Sequence, residues 1–129
     1  MALPKVYRLR RRQDFTAVYR NGKQSGTKHF VVRALRISQL QDQSSGGEAV
    51  ALPETRLGIS VSQKVSKRAV VRNRIKRQIR AAFYQLIPRI NRGWWLVVGL
   101  RPTAVECEYG QFLRELEQIL IKLEVIDGH

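Results

Sequence analysis

Little in this sequence can crosslink, ligate a metal or cross a membrane. Its 129 residues include one cysteine and two histidines. Cys107 has no second thiol in the chain, so no intramolecular disulfide forms and a reducing compartment suits it. The same scarcity predicts no Cys/His zinc site and no cofactor or metal bound by the chain alone. Apolar runs are short. The longest, Trp94 to Leu100, is seven residues bounded by Arg92 and Arg101, well under the ~20 that a helical membrane span requires. No membrane partner is expected. The N-terminus sets Lys5, Arg8, Arg10, Arg11 and Arg12 where a secretory signal would carry its apolar segment. A cytoplasmic location is expected.

The deepest deficit is of acid. Ten Asp+Glu stand against 24 Lys+Arg, a formal net charge of +14. No acidic residue falls between Glu54 and Glu106, a stretch holding twelve Lys or Arg, and the first 37 residues hold ten against Asp14 alone. Six of the ten acids lie from Glu106 onward, so the C-terminal element is not the main polyanion contact. Charge this one-sided repels itself unless a polyanion is the working partner, and nucleic acid comes before an anionic membrane surface.

A chain of this length forms one domain of roughly 14 Å radius and buries about two-thirds of its unfolded surface. Residues 1–10 read as an extended basic arm. A short helix is predicted over Gln13–Tyr19, with Asp14 as a cap and Phe15, Val18 and Tyr19 at helical spacing before Asn21-Gly22. His29–Ile37 reads as a strand, with a pairing segment near Lys23–Thr27. Residues 39–54, rich in Gln, Ser and Gly, read as a flexible connection. Arg56–Ser62 alternates: Leu57, Ile59 and Val61 on one face, Gly58, Ser60 and Ser62 on the other. The second face is too small to fill a core and should lie open to solvent or to a ligand backbone. From Ser66 to about Ile90 the period becomes 3.6, with Val71, Ile75, Ile79, Ala82, Phe83 and Leu86 in one stripe and Pro88 near its end. Trp94–Leu100 is apolar on both sides, as a central strand is. A last helix ends near Val125. The class is α+β, a single domain over residues 1–129 in α-β-β-β-α-β-α order, with helices packed on a small mixed sheet.

The long middle helix carries the chemistry. Its apolar stripe spans an arc of about 80°, while Arg72, Asn73, Arg74, Lys76, Arg77 and Arg80 cover about 200° of the other side. Arg68, Arg72, Lys76 and Arg80 climb in i+4 steps with no acid between them, a spacing at which like charges destabilise a helix. Phosphates would relieve them. Six engaged cations imply a log-affinity slope against log salt of about −5 on a duplex or −4 on a single strand.

Ala69-Val-Val-Arg-Asn-Arg-Ile-Lys-Arg-Gln-Ile-Arg80 resembles, nearly position for position, the Arg-Asn-Arg signature helix of the bacterial ribonuclease P protein family. Arg8-Leu9 followed by Phe15 resembles the family's N-terminal Arg-Leu-x5-Phe segment, Arg56-Leu-Gly-Ile-Ser-Val-Ser-Gln-Lys64 its third strand, and Trp95 to Arg101 its last strand with the trailing basic residue. The resemblance covers about residues 5–125; the 39–54 connection is longer than the family pattern. It implies a protein that works only with a large catalytic RNA, which holds the magnesium ions and removes the 5′ leader from precursor tRNA. No catalytic residue is expected in the chain itself, and no obligatory protein partner. The resemblance assigns Arg68, Arg72, Asn73, Arg74, Lys76, Arg77 and Arg80 to the RNA subunit. It assigns a cleft with Phe15, Tyr19, Arg33, Ser60, Ser62, Lys64 and Arg101 to the single-stranded leader. It further implies a left-handed crossover between parallel strands, against the usual hand.

Read from the residues, aromatics beside a Gly/Ser strand face make a sequence-tolerant single-strand platform. Phe15 is equally compatible with core packing; Tyr19, with its hydroxyl, favours a wet edge. His29 and His129 have no evident Ser, Cys or carboxylate partner, which argues against a nuclease site made of protein. Glu106 and Glu108 read as helix-terminus charges, and Trp94 and Trp95 as core and cover. The alternative function is a structural RNA-binding protein such as a ribosomal protein, whose charge balance would look the same.

Overall fold

The computed structural model describes residues 3–37 and 53–127. Helix α1 (Arg12–Asn21) is followed by strands β1 (Lys23–Gly26), β2 (Phe30–Arg36) and β3 (Arg56–Ser60), helix α2 (Ala69–Leu86), strand β4 (Trp94–Leu100) and helix α3 (Tyr109–Lys122). The sheet runs β1-β2-β4-β3. β4 pairs antiparallel with β2 and parallel with β3, so β3-α2-β4 is the parallel crossover unit. The order and the mixed four-stranded sheet match the α+β expectation.

β4 lies between two partners and under helices on both faces, which is why it can be apolar throughout. On one face Leu96 and Val98 join Phe30, Val32 and Leu57 beneath Ile75, Ile79 and Phe83 of α2 and Phe112, Leu116 and Leu120 of α3. The Phe30 and Phe112 rings meet at 6.1 Å, within the favourable range for aromatic pairs. On the other face Val97 and Leu35 pack with Leu9 and Val18, and Phe15 and Trp95 close over them. Trp94 is buried with Lys23 and Arg36 each over its ring, at 5.5 and 5.4 Å. α2 stops at Leu86, and Pro88 sits in the 3-10 turn that follows, because proline cannot continue the ladder. Gly93 enters β4 at φ 86, a conformation open to glycine at little cost.

Several expectations change. The N-terminal residues are not a free arm: Leu3 and Leu9 are 3% and 4% exposed, and the Leu9 N–H donates to the Leu57 carbonyl at 2.9 Å. The segment thus covers the outer edge of β3, which would otherwise be an unpaired edge. Asp14 does not cap α1; the cap position is Arg11, with no side-chain bond, and Asp14 lies in the first turn, where its charge suits the helix dipole. β3 ends at Ser60, so Ser62 belongs to a turn, its hydroxyl accepting from the Lys64 N–H at 3.2 Å. The connection over 39–54 falls outside the described residues up to 52. Its end is tied down: the Pro53 carbonyl accepts from Gly93 at 2.9 Å and Glu54 pairs with Arg92 at 2.7 Å.

The face of Gly58, Ser60 and Ser62 is half covered rather than open. A Cβ at position 58 would overlap the Phe15 ring, so glycine there lets α1 settle onto the sheet. Gly58→Ala should therefore cost about 2 kcal/mol by overpacking. On a Phe15→Ala background the same change should cost less than about 1 kcal/mol, because the clash has gone. Urea unfolding of the four chains of this cycle measures both.

Candidate nucleic-acid interface

The register of the sheet separates two surfaces. Toward α1, Arg33, Val97 and Gly58 form one cross-strand row, and Val31, Gly99 and Ser60 form the next. α1 covers the first row through Phe15 and leaves the second uncovered. Gly99 is only partly covered, and a Cβ added there would meet nothing closer than 4.0 Å. Beside this strip Tyr19 is 46% exposed, with the Arg33 guanidinium 4.9 Å from its ring centre. That distance is a cation–π contact, and it holds the ring at the rim. Lys64 and Arg101 are exposed just beyond the C-terminal ends of β3 and β4. Phe15, Tyr19, Arg33 and Ser60 are thus brought to one shallow trough, with Lys64 and Arg101 at one end.

Phe15 packs in the core and keeps part of its surface outside it. It is half-buried against Leu9, Val18, Leu35 and Val97, and its remaining surface stands beside the uncovered strip. Ser62 has the weaker claim on the trough, since its hydroxyl is engaged in the turn after β3.

The second surface is the outer face of α2. Arg68, Asn73, Arg74 and Arg77 are exposed, while Arg72, Lys76 and Arg80 are half-buried. Among the described residues none of these cations pairs with a carboxylate; the ion pairs are His29–Glu115, Arg89–Glu117 and Arg92–Glu54. Two are held by carbonyls instead. Arg72 donates to the Ser66 oxygen at 2.8 Å and Arg74 to the Val105 oxygen at 3.0 Å. Burial lowers the Arg80 pKa from its ordinary value, and the neighbouring Arg8 charge lowers it further. Cations packed this closely without acid form a field suited to phosphate.

A third cluster went unforeseen. His29, at the start of β2, donates from Nδ1 to both Glu115 oxygens at 3.1 and 3.0 Å, and Cys107 lies close enough that one donor atom of each residue is within 4.8 Å of the others. The expectation that His29 lacks a Cys or carboxylate partner, which argued against a nuclease site made of protein, is corrected here. Residues 86 positions apart meet only because β2 runs under α3, and no local spacing signals that. The trio is unsuited to nucleophilic attack: burial, then Glu115 and Glu108, pushes the Cys107 thiol up to about 11, the opposite of an activated thiolate. It acts as a clasp between β2 and α3. Burial alone would raise the Glu115 carboxyl, but hydrogen bonds from Thr27, His29 and Gln111 and the His29 charge hold it below the ordinary value.

The described residues contain no helix long and apolar enough to cross a membrane. Residues 3–124 match the family model described as Ribonuclease P. The chain is 51% identical over 139 residues to the ribonuclease P protein component of Nostoc sp. strain PCC 7120, covering 100% of this chain and 99% of the relative. With that of Cyanothece sp. strain PCC 7425 it shares 52% over 130 residues, covering 98% and 99%. Among solved structures, the Staphylococcus aureus RNase P protein at 2.0 Å superposes with a TM-score of 0.77 at 30% identity, covering 95% of this chain and 100% of that one. The Thermotoga maritima RNase P protein gives 0.69 at 27%, covering 94% and 98%.

The clasp has a pH signature. Because the folded Glu115 pKa lies below its ordinary value of 4.5, its contribution is fully present above that pH and is lost as pH falls through the folded value. Glu115→Ala should cost about 2–4 kcal/mol at pH 7, leaving His29 buried without its partner. It should also flatten the fall in stability below pH 4.5, as read by thermal melts across pH 3–7.

Proposed function

The chain belongs to the ribonuclease P protein family, the protein side of the endoribonuclease that matures the 5′ end of tRNA, and we propose that its two surfaces divide the work of holding RNA. The outer face of α2, through Arg68, Arg72, Asn73, Arg74, Lys76, Arg77 and Arg80, binds the catalytic RNA subunit. The trough between α1 and the sheet, through Phe15, Tyr19, Arg33, Ser60, Lys64 and Arg101, with Ser62 at its margin, binds the single-stranded 5′ leader of precursor tRNA. With the family match the alternative of a ribosomal RNA-binding protein falls away.

One observation carries the division: the trough is an uncovered, glycine- and serine-floored strip beside Tyr19, on the α1 side of the sheet, while the α2 cations stand on an element packed against the opposite side. A strip that carries only Gly99 and Ser60 on β4 and β3 lets a backbone come close, an aromatic stacks on any base, and a cation pairs with any phosphate. Such a surface tolerates leaders of differing sequence. The Arg-rich helix, by contrast, is a dense array suited to fixed phosphates of one folded RNA.

Chemistry stays with the RNA subunit and its magnesium ions. The cations of this chain neutralise phosphate charge, and the protein thereby lowers the magnesium needed for assembly and substrate capture. The unpaired Cys107 thiol suits a reducing, cytoplasmic setting.

Reconstitution separates the surfaces. With its RNA subunit at low magnesium, the chain should enhance leader removal from precursor tRNA, and alone it should cleave nothing. Arg68→Ala with Arg77→Ala, both exposed, should weaken RNA-subunit binding and reduce its salt slope by about 2. Tyr19→Ala should leave assembly intact and remove most of the preference for precursor over mature tRNA, a loss of roughly 1–3 kcal/mol. Equal effects of both changes on assembly would defeat the two-surface reading.

A further inference from the structure

Behind the basic face, where α2 passes the start of α3 and the N-terminal segment, lies a cavity of about 470 Å³. Its size falls in the range of small-molecule sites, ~300–1,000 Å³. Leu3, buried, and Ala81, exposed, line it, and Tyr84 stands at its side 47% exposed. Arg74, Arg77 and Arg80 also line it. Neither surface described above accounts for Tyr84, a large aromatic left open to solvent on a helix whose other aromatic, Phe83, is fully buried.

One polar fact narrows the occupant. The cavity brings Arg74, Arg77 and Arg80 together with no carboxylate among its lining residues, so it asks for an anion. Arg74 is braced on the Val105 carbonyl at 3.0 Å, which holds its guanidinium in place.

An exposed aromatic and uncompensated guanidiniums lining one cavity describe a nucleotide site. We propose that this cavity receives one unstacked nucleotide of the RNA subunit, its base stacked on Tyr84 and its phosphate paired with Arg77 and Arg80. The proposal rests on the reading of α2 as the RNA-subunit surface and adds to it a point of base contact. Any base offers a face to stack.

The test uses the full chain. In NMR titrations, millimolar adenosine 5′-monophosphate should shift the Tyr84 ring and the Arg77 and Arg80 side-chain signals, and inorganic phosphate should shift the Arg side chains alone. Equal shifts from both would mean a generic anion site and overturn the proposal, as would no shift at Tyr84. With the RNA subunit, Tyr84→Ala should weaken assembly about ten-fold, while Tyr84→Phe, which keeps the ring, should stay within about two-fold. Tyr84 is solvent-exposed, and an unchanged melting profile shows that the fold is kept. Assembly unaffected by Tyr84→Ala but lost with the Arg68 and Arg77 double change would reject the pocket and keep the function. Failure of the unmodified chain to bind its RNA subunit would reject both.

Discussion

Strand β4 pairs along its length with β2 on one side and from Trp95 to Gly99 with β3 on the other, and its middle is buried on both faces. Its register therefore decides which neighbours face α1 and which face the α2–α3 layer. A slip of one residue in a neighbour's pairing would turn that strand over, putting Arg33 of β2, or Gly58 and Ser60 of β3, into the main core and Val32, or Leu57 and Ile59, onto the trough. The fold tolerates neither. Burial of Phe30, Leu96, Val98 and their partners on one side thus fixes, as a consequence, the composition of the uncovered strip on the other.

Within that constraint, α1 partitions the second face. Phe15 resting on Gly58 closes one cross-strand row, and the row of Val31, Gly99 and Ser60 stays uncovered. The same ring seals Leu9, Val18, Leu35 and Val97 and also borders the trough. Tyr19, one turn further along α1, has no such duty to the core and is held by Arg33 instead.

Charge is segregated as strictly as apolar surface. Acids are concentrated toward the C-terminus, where Glu115 and Glu117 on α3 make a buried clasp and a surface pair. None of the acids among the described residues reaches the cations of α2. Helix α2 accepts repulsion between successive turns, and its stability comes from Ile75, Ile79, Ala82, Phe83 and Leu86 packed beneath. A helix anchored by its core face can carry a functional charge array that would weaken it in isolation.

Much of this was legible in the residues. The change of period from two to 3.6 at Ser66, the unbroken apolar run of β4 and the acid-free cation face of α2 determined the elements, their order and the class of partner, because each is a local pattern tied to backbone geometry. The Arg72-Asn73-Arg74 helix with its flanking segments identified the family. What only the tertiary structure decided depends on contacts between residues distant in sequence. It turned the supposed N-terminal arm into an edge cover for β3 through Leu3 and Leu9. It placed Phe15 over Gly58, joined His29 to Cys107 and Glu115, and opened a cavity beside Tyr84 and Gln78. Periodicity reports which face of an element is apolar, but only the packed chain determines what lies against that face and which polar atoms are left without a partner.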